Sequence, residues 1–170
     1  MLEILLISAI LLVDQVTKYC SERFLSPVGT TYPLIPGVFH FTSAHNAGAA
    51  WGMLQGGKWF FLVLTVLVCA FLVWLLVGYR RRMSVFSRVL LSLLLAGAVG
   101  NMIDRVLFSY VRDMLDFCLI RFPIFNVADS ALTIGCIMLI VDALFLKERS
   151  LFELKLRRRT DGETGDRDDG

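Results

Sequence analysis

The sequence predicts a membrane protein, all-α in its spanning part with a small β element: four transmembrane helices and a short sheet on the outer surface. Composition gives the class, because 56% hydrophobic residues and a mean hydropathy of +0.68 over 170 residues exceed what a soluble core of this size accommodates. Apolar runs at about 2–18, 59–79, 85–103 and 127–146 give the spans, each near the roughly 20 residues that cross a bilayer. Basic residues give the orientation. Arg80-Arg81-Arg82, Arg88, Lys147, Arg149 and Arg157-Arg158-Arg159 fall at one side of a four-span layout, which the positive-inside rule makes cytoplasmic. Both termini then face the cytoplasm, and the loops 19–57 and 104–126 face outward. The net charge of +2 gives no reason to expect nucleic-acid binding.

The first run lacks a basic start and has no small-residue cleavage site after it, so it reads as a retained helix and not a removed leader. Asp14 and Lys18 near its outer end are four apart and share a face, as a functional pair or as an interfacial anchor. Residues 19–57 form a polar interlude that Pro27, Gly29, Pro33, Pro36 and Gly37 keep from being helical. Within it Val38-Phe39-His40-Phe41-Thr42-Ser43 has strand propensity, and a sheet resting on the membrane would turn Phe24, Phe39, Phe41 and Trp51 to lipid or to the helices. His45-Asn46-Ala47-Gly48-Ala49-Ala50-Trp51-Gly52 is small enough for close backbone approach. His40 and His45 read as surface residues. The four cysteines (Cys20, Cys69, Cys118, Cys136) show no metal-ligand spacing, so neither a metal site nor a disulfide framework is expected.

Span three carries Ala96-x-x-x-Gly100, a small-residue face for a partner helix. Asn101, Asp104 and Arg105 follow at its outer end. Before span four, Asn126 serves as N-cap with Asp129 three residues on, a variant capping box that places a carboxylate in the first helical turn. Asn126, Asp129, Ser130, Thr133 and Cys136 would then form a polar stripe toward neighbouring helices. A charged Asp at the bilayer centre costs about 2.5 to 3.5 kcal/mol on insertion scales, so a carboxylate in such a segment is a functional-site hypothesis by default. Leu151, Phe152, Leu154 and Leu156 suggest a short interfacial helix, and 160–170 reads as a disordered cytoplasmic tail.

Asp14 with Lys18, Asn46, Asn101 with Asp104 and Arg105, and Asp129 come from four distant parts of the chain yet fall at one membrane level. That convergence describes a site better than interfacial decoration. The outer loop Tyr110-Val111-Arg112-Asp113-Met114-Leu115-Asp116-Phe117 supplies a second carboxylate. Two facing carboxylates share one proton, so one acts as base on a water while the other acts as acid. Asp113 and Asp116 are equally placed by charge; a helical loop puts them on roughly one side, an extended one on opposite faces. Two other classes compete with a hydrolase. A proton relay through Asp129 and Asp14 would string carboxylates along a path across the bilayer, whereas these gather at one level. A structural subunit would use the same polar ends to bind a partner.

The ordered blocks Asp14-Gln15-Val16-Thr17-Lys18, His45 to Trp51, Gly100-Asn101-Met102-Ile103-Asp104-Arg105, Val111 to Phe117 and Phe125-Asn126-Val127-Ala128-Asp129-Ser130 together resemble bacterial lipoprotein signal peptidases, the type II signal peptidases. The resemblance spans about residues 11–144. It implies an aspartic endopeptidase, residues 1–159 forming one integral membrane domain with an outer sheet cradle, that cuts prolipoproteins before a cysteine carrying diacylglycerol. It places the catalytic pair on Asp113 and Asp129, with Asp14, Lys18, Asn46, Gly48, Asn101, Arg105 and Asn126 shaping the site, and with no metal and no cofactor. It implies a monomer in the bacterial plasma (inner) membrane, its active site at the outer face, with membrane lipids and globomycin-type inhibitors as further partners. Two departures stand out. Arg112 replaces a usual aliphatic residue and would set a positive charge beside a catalytic carboxylate, and the segment from Asp113 to Asp129 is a little shorter than in several relatives. Asp142 has no role in this account.

Overall fold

The computed structural model describes residues 1–48, 58–120 and 122–145. Four α-helices, α1 (Leu2–Phe24), α2 (Lys58–Gly78), α3 (Val85–Phe108) and α4 (Val127–Phe145), accompany three strands, β1 (Thr31–Ile35), β2 (Phe39–Asn46) and β3 (Val111–Asp116). Among the described residues α1, α2 and α3 are long and apolar enough to cross a membrane. Trp51, the end of the expected fourth span at 146, the expected interfacial helix and the tail lie outside the described residues.

α3 is the central helix. Its buried face carries Leu90, Leu91, Leu94, Leu95, Ala96, Ala98 and, toward the outer end, Asn101 and Asp104. α2 packs Leu72 and Leu76 into that face and leaves Trp59, Phe60, Val63, Leu67 and Val77 exposed, as a lipid-facing helix does. The small-residue face expected on α3 is real and runs through Gly97 and Gly100. A Cβ at Gly97 would run into the Ala128 carbonyl oxygen and Leu132, and one at Gly100 would come within 2.9 Å of an Asp14 carboxylate oxygen. Absent side chains there let α1, α3 and α4 close together at the level of the polar residues.

Two helices outrun their apolar windows. α1 continues from the expected end near residue 18 to Phe24, and α3 from 103 to Phe108, because polar residues beyond the window turn inward onto partners and the hydrogen-bonded helix continues. Ser84 caps the start of α3, its side-chain oxygen accepting the Ser87 N–H at 3.0 Å. At that end Glu3 of α1 meets Arg88 at 2.9 Å and Arg80 at 3.3 Å, so the chain start and the arginine loop share one end of the bundle.

The sheet has the order β1-β2-β3, antiparallel throughout. Pro33, read from sequence as a breaker, is accommodated in β1 because that strand is an edge and needs no donor on its open side. On the far side of β3, Leu115 exchanges backbone bonds with Phe125 at 2.8 and 3.0 Å. This bridge brings the strand that carries Asp113 against the residue preceding Asn126, the cap of α4. Phe39 packs on Phe41 and Phe117, centroids 5.4 and 4.9 Å apart, while Phe24 is exposed.

Candidate active site

Helix α4 starts inside the protein, and its first N–H groups have no intrahelical acceptors. Three side chains supply acceptors at this end. Asn126 Oδ1 accepts the Asp129 N–H at 2.8 Å while Asp129 Oδ2 accepts the Asn126 N–H at 3.2 Å, which is the reciprocal capping box expected from the sequence. Asp14 of α1 accepts the Ala128 N–H at 2.9 Å. Asp129 is thereby fixed in the first turn of α4.

The Asn126 side chain also reaches sideways. Its Nδ2 donates to Asp113 Oδ1 at 2.7 Å and to Asn101 Oδ1 at 3.1 Å, and Asn101 Nδ2 donates to Asp129 Oδ1 at 2.7 Å. The two amides in series therefore connect the carboxylates, and the Asn126 backbone N–H to Asp129 closes the ring. Lys18, fully buried, sits behind this ring with Nζ 2.8 Å from Asp14, 3.4 Å from Asp104 and 3.2 Å from Asn101 Oδ1. A buried ammonium between two carboxylates is compensated, whereas loss of any one member would leave an unpaired charge.

β3 is extended, so Asp113 and Asp116 point to opposite faces, which the sequence left open. Asp113 turns toward Asn126. Asp116 turns away and accepts from Thr42 Oγ1 at 2.9 Å. Asp113 is 3% exposed, and burial first, then the like charge of Asp129, push its carboxyl up from 3.8 to about 7. The Asn126 and Asn46 amides and the Lys18 charge pull the other way.

Arg112 does not sit beside Asp113 as the sequence suggested. Strand alternation sends it to the other face, where its Nη2 donates to Asp104 Oδ1 at 2.8 Å and to Gln15 Oε1 at 3.0 Å, and its Nη1 to Glu22 Oε2 at 3.3 Å. Its guanidinium also lies 4.5 Å from the Phe108 ring centroid. This second cluster was missed in the sequence because α1 was ended near residue 18. With the helix continued, Gln15, Lys18 and Glu22 fall at three- and four-residue spacing on one face, and that was the available signal.

Asn46, Gly48, Asn101, Arg105 and Asp129 line a cavity of about 730 Å³ whose remaining wall is largely apolar, including Phe122, Ile124, Leu132 and Ile134. Asn46 Oδ1 accepts the Gly48 N–H at 3.0 Å, and the Gly48 carbonyl accepts from Arg105 at 3.3 Å, so a turn after β2 is fastened to the end of α3. The Arg105 guanidinium stacks 5.1 Å above the Phe61 ring. Asp129 stands on the cavity wall; Asp113 lies behind it, joined through Asn126. Of the expected polar stripe, Asn126 and Asp129 meet Asn101 of the neighbouring α3, Ser130 and Thr133 line the cavity, and Cys136 is exposed. All four cysteines are free. Asp142 is buried with Oδ1 unpartnered among the described residues.

The family model described as signal peptidase (SPase) II matches residues 6–145. A lipoprotein signal peptidase of Brevibacillus brevis is 46% identical over 138 residues, 81% of this chain and 91% of that protein. One of Enterococcus faecalis is 44% identical over 151 residues, 88% of this chain and 92% of that protein. A solved bacterial membrane enzyme superposes with a TM-score of 0.76 at 41% identity, covering 91% of this chain and 93% of the other. With a family match over most of its length and relatives this similar, the chain belongs to the signal peptidase II family.

Proposed function

We propose that the chain is a membrane aspartic endopeptidase that removes the signal peptide from diacylglyceryl-modified prolipoproteins, cutting before the lipidated cysteine. Family membership supports a protease, and the relatives' shared name, lipoprotein signal peptidase, supports prolipoprotein substrates. The aspartic chemistry rests on one observation: Asp113 and Asp129, from different elements, are joined through Asn126, which donates its side-chain N–H to Asp113 and its backbone N–H to Asp129, at the wall of a largely apolar cavity. Asp129 accepts an N–H on each oxygen, which fixes the carboxylate at the cavity wall where a general base must stand. Asp113, pushed up to about 7, holds a proton at neutral pH and suits the acid.

In this reading Asp129 takes a proton from water as the water oxygen bonds to the scissile carbonyl carbon, and Asp113 gives its proton to the carbonyl oxygen. Collapse of the tetrahedral intermediate returns that proton to Asp113, and the proton on Asp129 leaves with the amine. Asn46, Gly48, Asn101 and Arg105 hold the peptide against the pair, while Asp14, Lys18 and Asn126 hold the pair itself. A cavity of about 730 Å³ lies within the range of roughly 300 to 1,000 Å³ typical of small-ligand sites. It takes the peptide around the bond and leaves the lipid chains in the bilayer.

α4 serves as the fourth span, its Asp129 end at the outer face of the bacterial plasma membrane and both chain ends in the cytoplasm. The Glu3, Arg80 and Arg88 contacts support that arrangement, since they lie at the opposite end of the bundle from Lys18 and Asn101. Residues 1–159 act as one domain and as a monomer, and globomycin-type compounds would compete for the cavity. The test is signal-peptide release by purified protein in detergent from a prolipoprotein with and without diacylglycerol. Release should require the lipid; equal release from both substrates, or none from the modified one, would overturn the reading.

A further inference from the structure

His40, Asp116 and Cys118 form a second group of chemistry-bearing side chains, on the face of β3 opposite Asp113. His40 and Asp116 are cross-strand partners of β2 and β3, and Cys118, two residues further on, begins the 3-10 turn Cys118–Ile120. One ligand atom from each side chain lies within 4.8 Å of the other two, and all three side chains are partly accessible. Among the described residues this is the one place where three such atoms converge. Although His40 alone read as a surface residue, the fold gives it two partners from a distant stretch of chain. A thiolate, an imidazole and a carboxylate are the donor types zinc takes, whereas calcium and magnesium take oxygen alone. Three protein ligands leave a fourth position for water.

We infer that His40, Asp116 and Cys118 bind one zinc-class divalent ion that fastens β2 to the turn after β3. The six-coordinate hydrated ion releases five waters, takes an imidazole nitrogen, a carboxylate oxygen and the Cys118 sulfur, and keeps one water in a four-coordinate site. The thiol proton leaves to solvent as the metal–sulfur bond forms, and nothing is oxidised or reduced. Bonds of about 2.0 to 2.3 Å in a tetrahedron set ligand atoms about 3.3 to 3.7 Å apart, so closure from the present spacing takes a side-chain torsion and no strand movement. His40 Nε2 now accepts the exposed Gly37 N–H at 3.3 Å; that donor returns to water whichever imidazole nitrogen binds. At present the turn is tied to the residue before β2 by a Leu119 N–H to Val38 carbonyl contact of 3.5 Å, and the Cys118 thiol donates to the Asp116 carbonyl at 3.7 Å, a contact it gives up with its proton. Since Phe117 and Ile120 line the large cavity, the ion would stiffen one wall of it without touching the carboxylate pair.

The experiment uses the full chain, free of any histidine tag, in detergent, with zinc as the probe. Alkylation at each cysteine is followed by peptide mass spectrometry with and without zinc, so Cys20 is the internal control. Zinc should slow alkylation of Cys118 by about tenfold or more and leave Cys20 unchanged. Cobalt should give a thiolate charge-transfer band that is lost in Cys118→Ser and weakened in His40→Ala and Asp116→Asn. Unchanged alkylation of Cys118 in saturating zinc overturns the inference, and so does protection that persists in His40→Ala. The alkylation arm needs no variant, so a substitution that fails to fold does not remove the test.

Discussion

Asp113→Asn tests the acid and the energetic cost of holding it with one substitution. The asparagine keeps the size of the side chain and an oxygen for the Asn126 Nδ2 bond at 2.7 Å, but cannot hold or give the proton. The carboxyl sits at about 7 in the fold against 3.8 without it, so between those values the folded chain binds a proton that the unfolded chain has released. Stability of the parent therefore falls as pH rises from about 4 to about 7 and levels off above. At about 1.4 kcal/mol per pH unit the ceiling is about 4 kcal/mol, and incomplete dehydration of the site brings the expected value to about 2 kcal/mol. Asp113→Asn escapes that cost. Melting in detergent should match the parent at about pH 4 and exceed it by several degrees at pH 8, while turnover falls by about 10² to 10⁴. In the parent, kcat/KM should decline on the alkaline side with a midpoint near 7, where Asp113 loses its proton. A melting difference that does not change with pH, or near-parental turnover in the variant, would refute the assignment of the proton to Asp113.

Three further outcomes are expected. At matched membrane levels Asp129→Asn should lose turnover by about 10² or more, whereas Asp116→Asn, on the other face of β3, should stay within about tenfold of the parent; turnover of the two side by side checks this. Arg112→Met removes the bidentate partner of buried Asp104 and should cost about 3 to 5 kcal/mol, seen as a lowered melting temperature, and adding Asp104→Asn should recover part of it. Gly97→Ala drives a methyl into the Ala128 backbone and Leu132 and should lower melting by an amount corresponding to about 1 to 3 kcal/mol, while Gly78→Ala, with open space around it, should not.

The apolar periodicity and the arginine clusters made the helices legible, since lipid demands continuous apolar surface and a self-satisfied backbone. The capping box was legible for a related reason: Asn126 and Asp129 are local, and helix-start geometry is set within four residues. The partners of Asp113 and Arg112 were not. Whether residues 111–116 extend depends on pairing with β2, some 70 positions earlier, and on the Leu115 to Phe125 bridge; neither leaves a trace in the segment itself. The pleat then decides which of Arg112 and Asp113 meets the site, so a charge adjacent in sequence ends up bonded to α1 and α3. Helix length failed similarly at Glu22, because an inward-facing polar turn looks in sequence like the end of a span.

Asn126 holds the end of a helix and two carboxylates with one residue, its backbone N–H on Asp129 and its side chain on Asp113, which bears on how resistance to an inhibitor of this cavity would arise. A compound anchored on Asn101 or Asp129 meets groups whose replacement also disturbs the start of α4 or the ring that orients the pair. Escape by substitution there trades drug contact against catalytic competence. Ile120, Phe122 and Ile134, on the same cavity, make no polar bond to that ring and can change size at small cost. Selection under an inhibitor should therefore collect its changes on the apolar wall, and compounds that draw their affinity from the amide ring should be the slowest to lose it.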